Sequence, residues 1–154
     1  MNNGLFFSLH FRPVGQGLFS HGNLQFESNK KTARPNFEWI YDCGAEKLGQ
    51  HLLGEIGMYE FHNTTDIDLL MLSHFDKDHV VGVRELLRTK RPKVIVVPYL
   101  SLAERLAYIS SLRLTDVAFA RVLVAPAAFL RATAGDRARH CICHARRGSS
   151  PRPK

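Results

Sequence analysis

No apolar run in this chain of 154 residues reaches the roughly 18 positions a membrane-spanning helix needs. A helical membrane protein is therefore not expected. The opening residues, Met1-Asn2-Asn3-Gly4, lack the basic start and small-residue cleavage site of a secretory signal, which points to a cytoplasmic protein. Cysteine is scarce: Cys43, Cys141 and Cys143 are odd in number and two stand one residue apart, so a disulfide framework is not expected. Acidic residues are almost missing from one end. Residues 131–154 hold seven basic side chains and one acid, Asp136, while the other 130 residues hold 14 basic and 13 acidic ones. The formal charge of +7 thus describes a tail and not the body of the protein. No aromatic residue follows Phe129, so that tail offers bases no stacking platform. Non-specific, salt-sensitive contact with nucleic-acid backbones is all that its charge supports.

What is present is ordinary for one globular domain: 45% apolar and 23% charged residues. Leu5 to Phe11 alternates and carries aromatics, as a strand does. Val14-Gly15-Gln16-Gly17 is a turn signal, and Leu18 to Phe26 reads as the returning strand of a hairpin. A polar loop over 27–36 leads to a third strand, Phe37 to Tyr41, which ends at Asp42-Cys43-Gly44. Ala45 to Phe61 has helical spacing, with Leu48, Leu52, Leu53 and Ile56 on one face. Ile67 to Leu72 reads as a buried strand, Val80 to Thr89 as a helix, and Lys93 to Val97 as a β-branched strand. Leu102 to Leu112 follows as a helix with Leu102, Leu106 and Ile109 in register, and Val117 to Val124 as one more strand. A meander followed by β–α alternation predicts an α/β (α+β) fold, a mixed sheet with helices packed on it. Residues 126–154, rich in Ala, Arg, Pro and Ser, read as a disordered basic tail behind a domain spanning 1–125.

The densest chemistry lies in Ser73-His74-Phe75-Asp76-Lys77-Asp78-His79. His74, Asp76, Asp78 and His79 place two imidazoles and two carboxylates within six residues, between an apolar strand and a helix. Donors of these types at this density read as metal ligands. Side chains two apart in an extended loop point the same way, so His74 and Asp76 can share one cation while Asp78 and His79 face a second. Two metals about 3.5–4 Å apart lower the pKa of a shared water towards about 7 and stabilise a developing oxyanion. A polar strand-to-helix loop with Asp78 as helix cap is the plainer reading. Capping accounts for one aspartate, and not for the other three groups. Asp42 has two readings, as a support for the metal loop or as a turn aspartate before Gly44. Cys43 reads as a small buried residue. His10, His21, His51 and His62 are isolated and receive no role. His140-Cys141-Ile142-Cys143-His144 is a second cluster, but structural zinc sites pair two knuckles of wider spacing, so it reads as adventitious.

The first cluster resembles the His-x-His-x-Asp-His loop of the metallo-β-lactamase-fold metallohydrolases. His74 stands at the first histidine, Asp78 and His79 at the closing pair, and Gly82 at a glycine that often follows. Asp76 departs from the pattern, since most members carry histidine there. Val14-Gly15-Gln16-Gly17 is similar to the family's early hairpin turn, and Asp42-Cys43-Gly44 to its Asp-x-Gly strand end. The resemblance covers about residues 5–125. It implies the N-terminal half of an αββα sandwich, with His74, Asp76, Asp78 and His79 as metal ligands and Asp78 also catalytic. It further implies two zinc sites, with Fe or Mn admitted by the harder carboxylate of Asp76. The activity implied is hydrolysis of an ester, phosphodiester or lactam-type bond. Later family ligands have no clear counterpart: after His79 the histidines are His140 and His144, and after Asp78 the aspartates are Asp116 and Asp136. The expectation is therefore a truncated form whose reading frame departs from that of a longer protein near residue 126. The alternative is a catalytically inactive relative that binds a partner or self-associates through an uncovered sheet face.

Overall fold

Alternation through the first forty residues builds three antiparallel strands, and the computed structural model places them as β1 (Leu5–Phe11), β2 (Phe19–Phe26) and β3 (Phe37–Cys43). The structure describes residues 4–26, 37–63, 66–111, 117–134 and 142–145. The expected polar loop over 27–36 lies outside them. Gly15 and Gly17 adopt positive φ in the turn between β1 and β2, a conformation glycine reaches without steric cost. From β3 onward the sheet is parallel: β4 (Leu69–Met71), β5 (Val94–Pro98) and β6 (Ile142–Ala145) are added in chain order. The helices are α1 (Gln50–His62), α2 (Lys77–Val80), α3 (Val83–Thr89), α4 (Leu102–Ser111), α5 (Val117–Val124) and α6 (Pro126–Ala134). The fold is thus the mixed sheet with packed helices that the pattern predicts.

The core lies on one face of the sheet. Ile40, Leu70, Ile95 and Val97 point into it from three adjacent strands. Leu52, Ile56 and Tyr59 meet them from α1, one helical turn apart. Val83, Leu86 and Leu87 enter from α3, Leu123 from α5 and Leu130 from α6. A polar contact crosses this core: the Tyr59 hydroxyl donates to Glu38 Oε1 at 2.6 Å, tying α1 to β3. Burial pushes the Tyr59 phenol far up, so it stays a donor.

Among the described residues, the opposite face of the sheet is open. Trp39 and Tyr41 of β3 alternate with core-facing Ile40, and are only half-buried. Register places Trp39 beside Leu69 and Val94, and Tyr41 beside Met71 and Val96. Phe7 of β1 reaches across Gly22 to stack on Trp39 at 5.7 Å between ring centroids. A side chain on Gly22 would strike that indole.

Several expectations are corrected. Val117–Val124 is a helix, not a strand; its β-branched residues are overridden by packing of Val122 and Leu123 against the core. The helix expected over Val80–Thr89 is two, α2 and α3, separated at Val81 and Gly82. On α4 the inward residues are Tyr108 and Ile109, while Leu102 and Leu106 are exposed. On α1 Leu53 is exposed, and Leu48 precedes the helix. The domain also continues past residue 125: α6 buries Leu130 and the backbone of β6 pairs with Ile95 to Pro98. The remainder of the expected tail, 135–141 and 146–154, lies outside the described residues. Among the described residues no helix is long and apolar enough to cross a membrane.

Candidate metal centre

The strand carrying Leu69–Met71 is only three residues long, and the chain leaves it directly into Ser73 and His74. The loop therefore emerges at the carboxyl ends of parallel strands β3 and β4, where open sheets of this kind form crevices. Its far end is α2, whose cap position is Asp76. The Asp76 side chain makes no capping bond, and Asp78 sits inside the first turn. The helix-cap reading of Asp78 is accordingly not what the geometry displays.

His74, Asp78 and His79 come together. Each offers one ligand atom, and these atoms all lie within 4.8 Å of one another. His79 Nε2 is 3.5 Å from Asp78 Oδ2. That matches the separation of about 3.4 Å between neighbouring ligands of a tetrahedral zinc with bonds of about 2.0–2.1 Å. Asp76 is not in the converging group. Its Oδ2 stands 3.4 Å from His74 Nε2, and its Oδ1 accepts a hydrogen bond from the Tyr108 hydroxyl of α4. Burial and that bond raise the Tyr108 pKa, so the phenol keeps its proton for Asp76. His74 and Asp76 are substantially open to solvent, whereas His79 is mostly covered.

Asp42 organises this group from below. The strand register shifts here, with Ser20 opposite Tyr41 and Phe19 opposite Cys43, so Asp42 is the extra residue of a β-bulge. It holds φ +57, a left-handed conformation that aspartate tolerates better than most residues. The bulge turns its fully buried carboxylate toward the loop. Ser73 N donates to Oδ1 at 2.7 Å, Ser73 Oγ to Oδ2 at 2.6 Å, and His79 Nδ1 to Oδ2 at 2.8 Å. The single hydroxyl hydrogen of Ser73 is thereby used, so Ser73 Oγ accepts from His74 Nδ1, 2.7 Å away. One carboxylate thus fixes both imidazoles with the proton on Nδ1, leaving each Nε2 lone pair free for a cation. Of the two readings of Asp42, the geometry gives the supporting one.

Close backbone approach holds the loop against the hairpin. Leu18 N donates to Asp78 O at 3.0 Å, and Gly82 N to Cys43 O at 2.9 Å. A Cβ on Gly44 would lie 2.4 Å from His79 N, and one on Gly17 2.6 Å from Asp78 O. Glycine at both positions is what lets the turn after β1 and the end of β3 touch the ligand loop. Cys43 is buried beside them, and burial with neighbouring Asp42 raises its thiol pKa well above the usual range, so it stays protonated and unreactive.

Two contributors escaped the sequence reading. Ser73 carried a signal, since a hydroxyl beside the first histidine can set its tautomer. Tyr108 carried none, because it lies 32 residues from Asp76 along the chain. Of the second cluster, His140 and Cys141 lie outside the described residues. Register places the backbones of Cys143 and His144 opposite Val96 and Val97. Among the described residues, no further group of three metal-ligating side chains converges. The sequence matches no known family model and no curated protein.

Proposed function

We propose that the chain is a metal-binding protein of the metallohydrolase type, in which His74, Asp78 and His79 hold one divalent cation. The carrying observation is the hydrogen-bond chain that ties the Nδ1 atoms of both histidines to Asp42, directly for His79 and through Ser73 for His74. Two imidazole nitrogens and one carboxylate oxygen are the donor set of hydrolytic zinc sites, which leave a fourth position open. A cation so held supplies Lewis acidity and lowers the pKa of a coordinated water. His74 and Asp76 line the solvent-open side, where an ester, phosphodiester or lactam-type substrate would approach. Zinc suits the three converging donors; iron or manganese would be favoured if Asp76 left Tyr108 and joined them. The likeness of His74, Asp78, His79, Gly82 and the Asp42-Cys43-Gly44 segment to metallo-β-lactamase-fold enzymes supports the same reading.

A second reading, metal binding without turnover, is favoured by the ligand count: three donors converge among the described residues, enough for one cation and not for two. Elemental analysis of the purified chain after zinc loading tests the site. About one equivalent of zinc, lost in a His74→Ala/Asp78→Ala variant, is the expected result. Equal metal in both proteins, or none in either, overturns it. Hydrolysis of a nitrophenyl ester or bis-nitrophenyl phosphate by the zinc-loaded chain, and not by the variant, separates the two readings.

A further inference from the structure

We propose that the open face of the sheet is a homodimer interface, on which a second copy of this chain packs sheet against sheet. This inference is independent of the metal centre, which lies at the strand ends.

The face is apolar across five strands. On β1, Leu5, Phe7, Leu9 and Phe11 share the side that meets Trp39, because Phe7 stacks there and the pairing with β2 is regular. Leu24 of β2 and Phe37 of β3 continue it. Trp39 and Tyr41 with their register neighbours on β4 and β5 complete it. No Asp, Glu, Lys or Arg occupies this side of β1 to β5. Monomers rarely leave a continuous patch of this kind in water.

Area and charge argue for a second copy. Leu5, Phe7, Leu9, Phe11 and Phe37 are 37–69% exposed. With the half-buried residues behind them they offer on the order of 700 Å², close to the roughly 800 Å² per partner of a stable interface. A charge-free face meets no repulsion from its own image and presents nothing for a charged partner to recognise. Two twisted sheets stacked face to face pack about 10 Å apart at a small angle, which a two-fold axis permits. Trp39, the sole tryptophan, sits at the centre and reports on burial.

Sedimentation equilibrium of the full chain is the test, alongside Trp39 emission against concentration. A mass of twice 17.4 kDa is expected, with emission shifting to the red on dilution as the dimer parts. Phe7→Lys and, separately, Phe11→Lys should each weaken dimerisation at least 100-fold, because a two-fold interface receives each charge twice. Both positions are exposed on an edge strand, so far-ultraviolet circular dichroism should be unchanged. Phe61→Lys, on exposed α1 surface, should leave the dimer intact. A monomer at 100 µM, polydisperse aggregates, or a dimer that survives both β1 variants each overturns the proposal; survival would point to pairing along the β1 edge.

Discussion

Replacing Asp42 by Asn removes one charge and almost no volume, yet it should weaken zinc binding about 10–100-fold. The carboxylate accepts three hydrogen bonds: from Ser73 N, Ser73 Oγ and His79 Nδ1. Asn keeps one acceptor oxygen, which Ser73 N can retain. The amide nitrogen then faces His79 and can only donate. His79 Nδ1 must accept, its proton moves to Nε2, and the lone pair meant for the cation is gone. Ser73 Oγ loses its acceptor as well, so His74 is no longer held in one tautomer. Removing such a support from a ligating histidine typically costs 10–100-fold in affinity, or about 1.4–2.7 kcal/mol. Competition against a chromophoric zinc chelator measures the change, and long-range ¹H–¹⁵N spectra of the imidazoles read the tautomer directly. Ser73→Ala should give a smaller loss confined to His74. Wild-type affinity in Asp42→Asn, with His79→Ala abolishing binding, would refute the tautomer reasoning.

Gly44→Ala forces a methyl against the His79 and Asp78 backbone, so it should cost at least about 1–3 kcal/mol in chemical denaturation and impair zinc binding together. Leu130→Ala should destabilise the chain by about 2–5 kcal/mol, since Leu130 is only 2% exposed; no effect would show that α6 is not part of the core. Acid should also weaken the fold. Burial, then Arg12 and His10, lowers the His21 pKa from 6.5 to about 4. The unfolded chain therefore binds a proton between pH 6.5 and 4 that the folded chain refuses. Stability falls as pH falls through that window, by up to about 3 kcal/mol, and is flat in this respect above it. Urea melts of the wild type and His21→Gln at pH 7 and 4.5 check the slope, which the variant should lack.

The strands β1 to β5 and the inward Leu52 and Ile56 of α1 were legible as patterns, because a period of 2 or 3.6 is written directly in residue order. Val117–Val124 was not: a short, mostly apolar stretch suits a buried strand or a buried helix equally, and packing against α4 and α6 decided between them. Leu130 and Ile142 looked like parts of a tail because no sustained apolar period surrounds them. Only an existing core and an unpaired β5 edge give such short pieces something to bury against or pair with.

At the centre, residue order alone established that His74, Asp76, Asp78 and His79 lie on one loop, since their nearness is a matter of chain distance. It could not say which of them face one point. That depended on the bulge at Asp42, on glycines 17 and 44 letting the hairpin touch the loop, and on Tyr108 drawing Asp76 aside. Each of these joins segments about thirty residues or more apart in the chain. The direction of a lone pair is set by the partner at the other end of its ring, and that partner arrives only when the strands assemble.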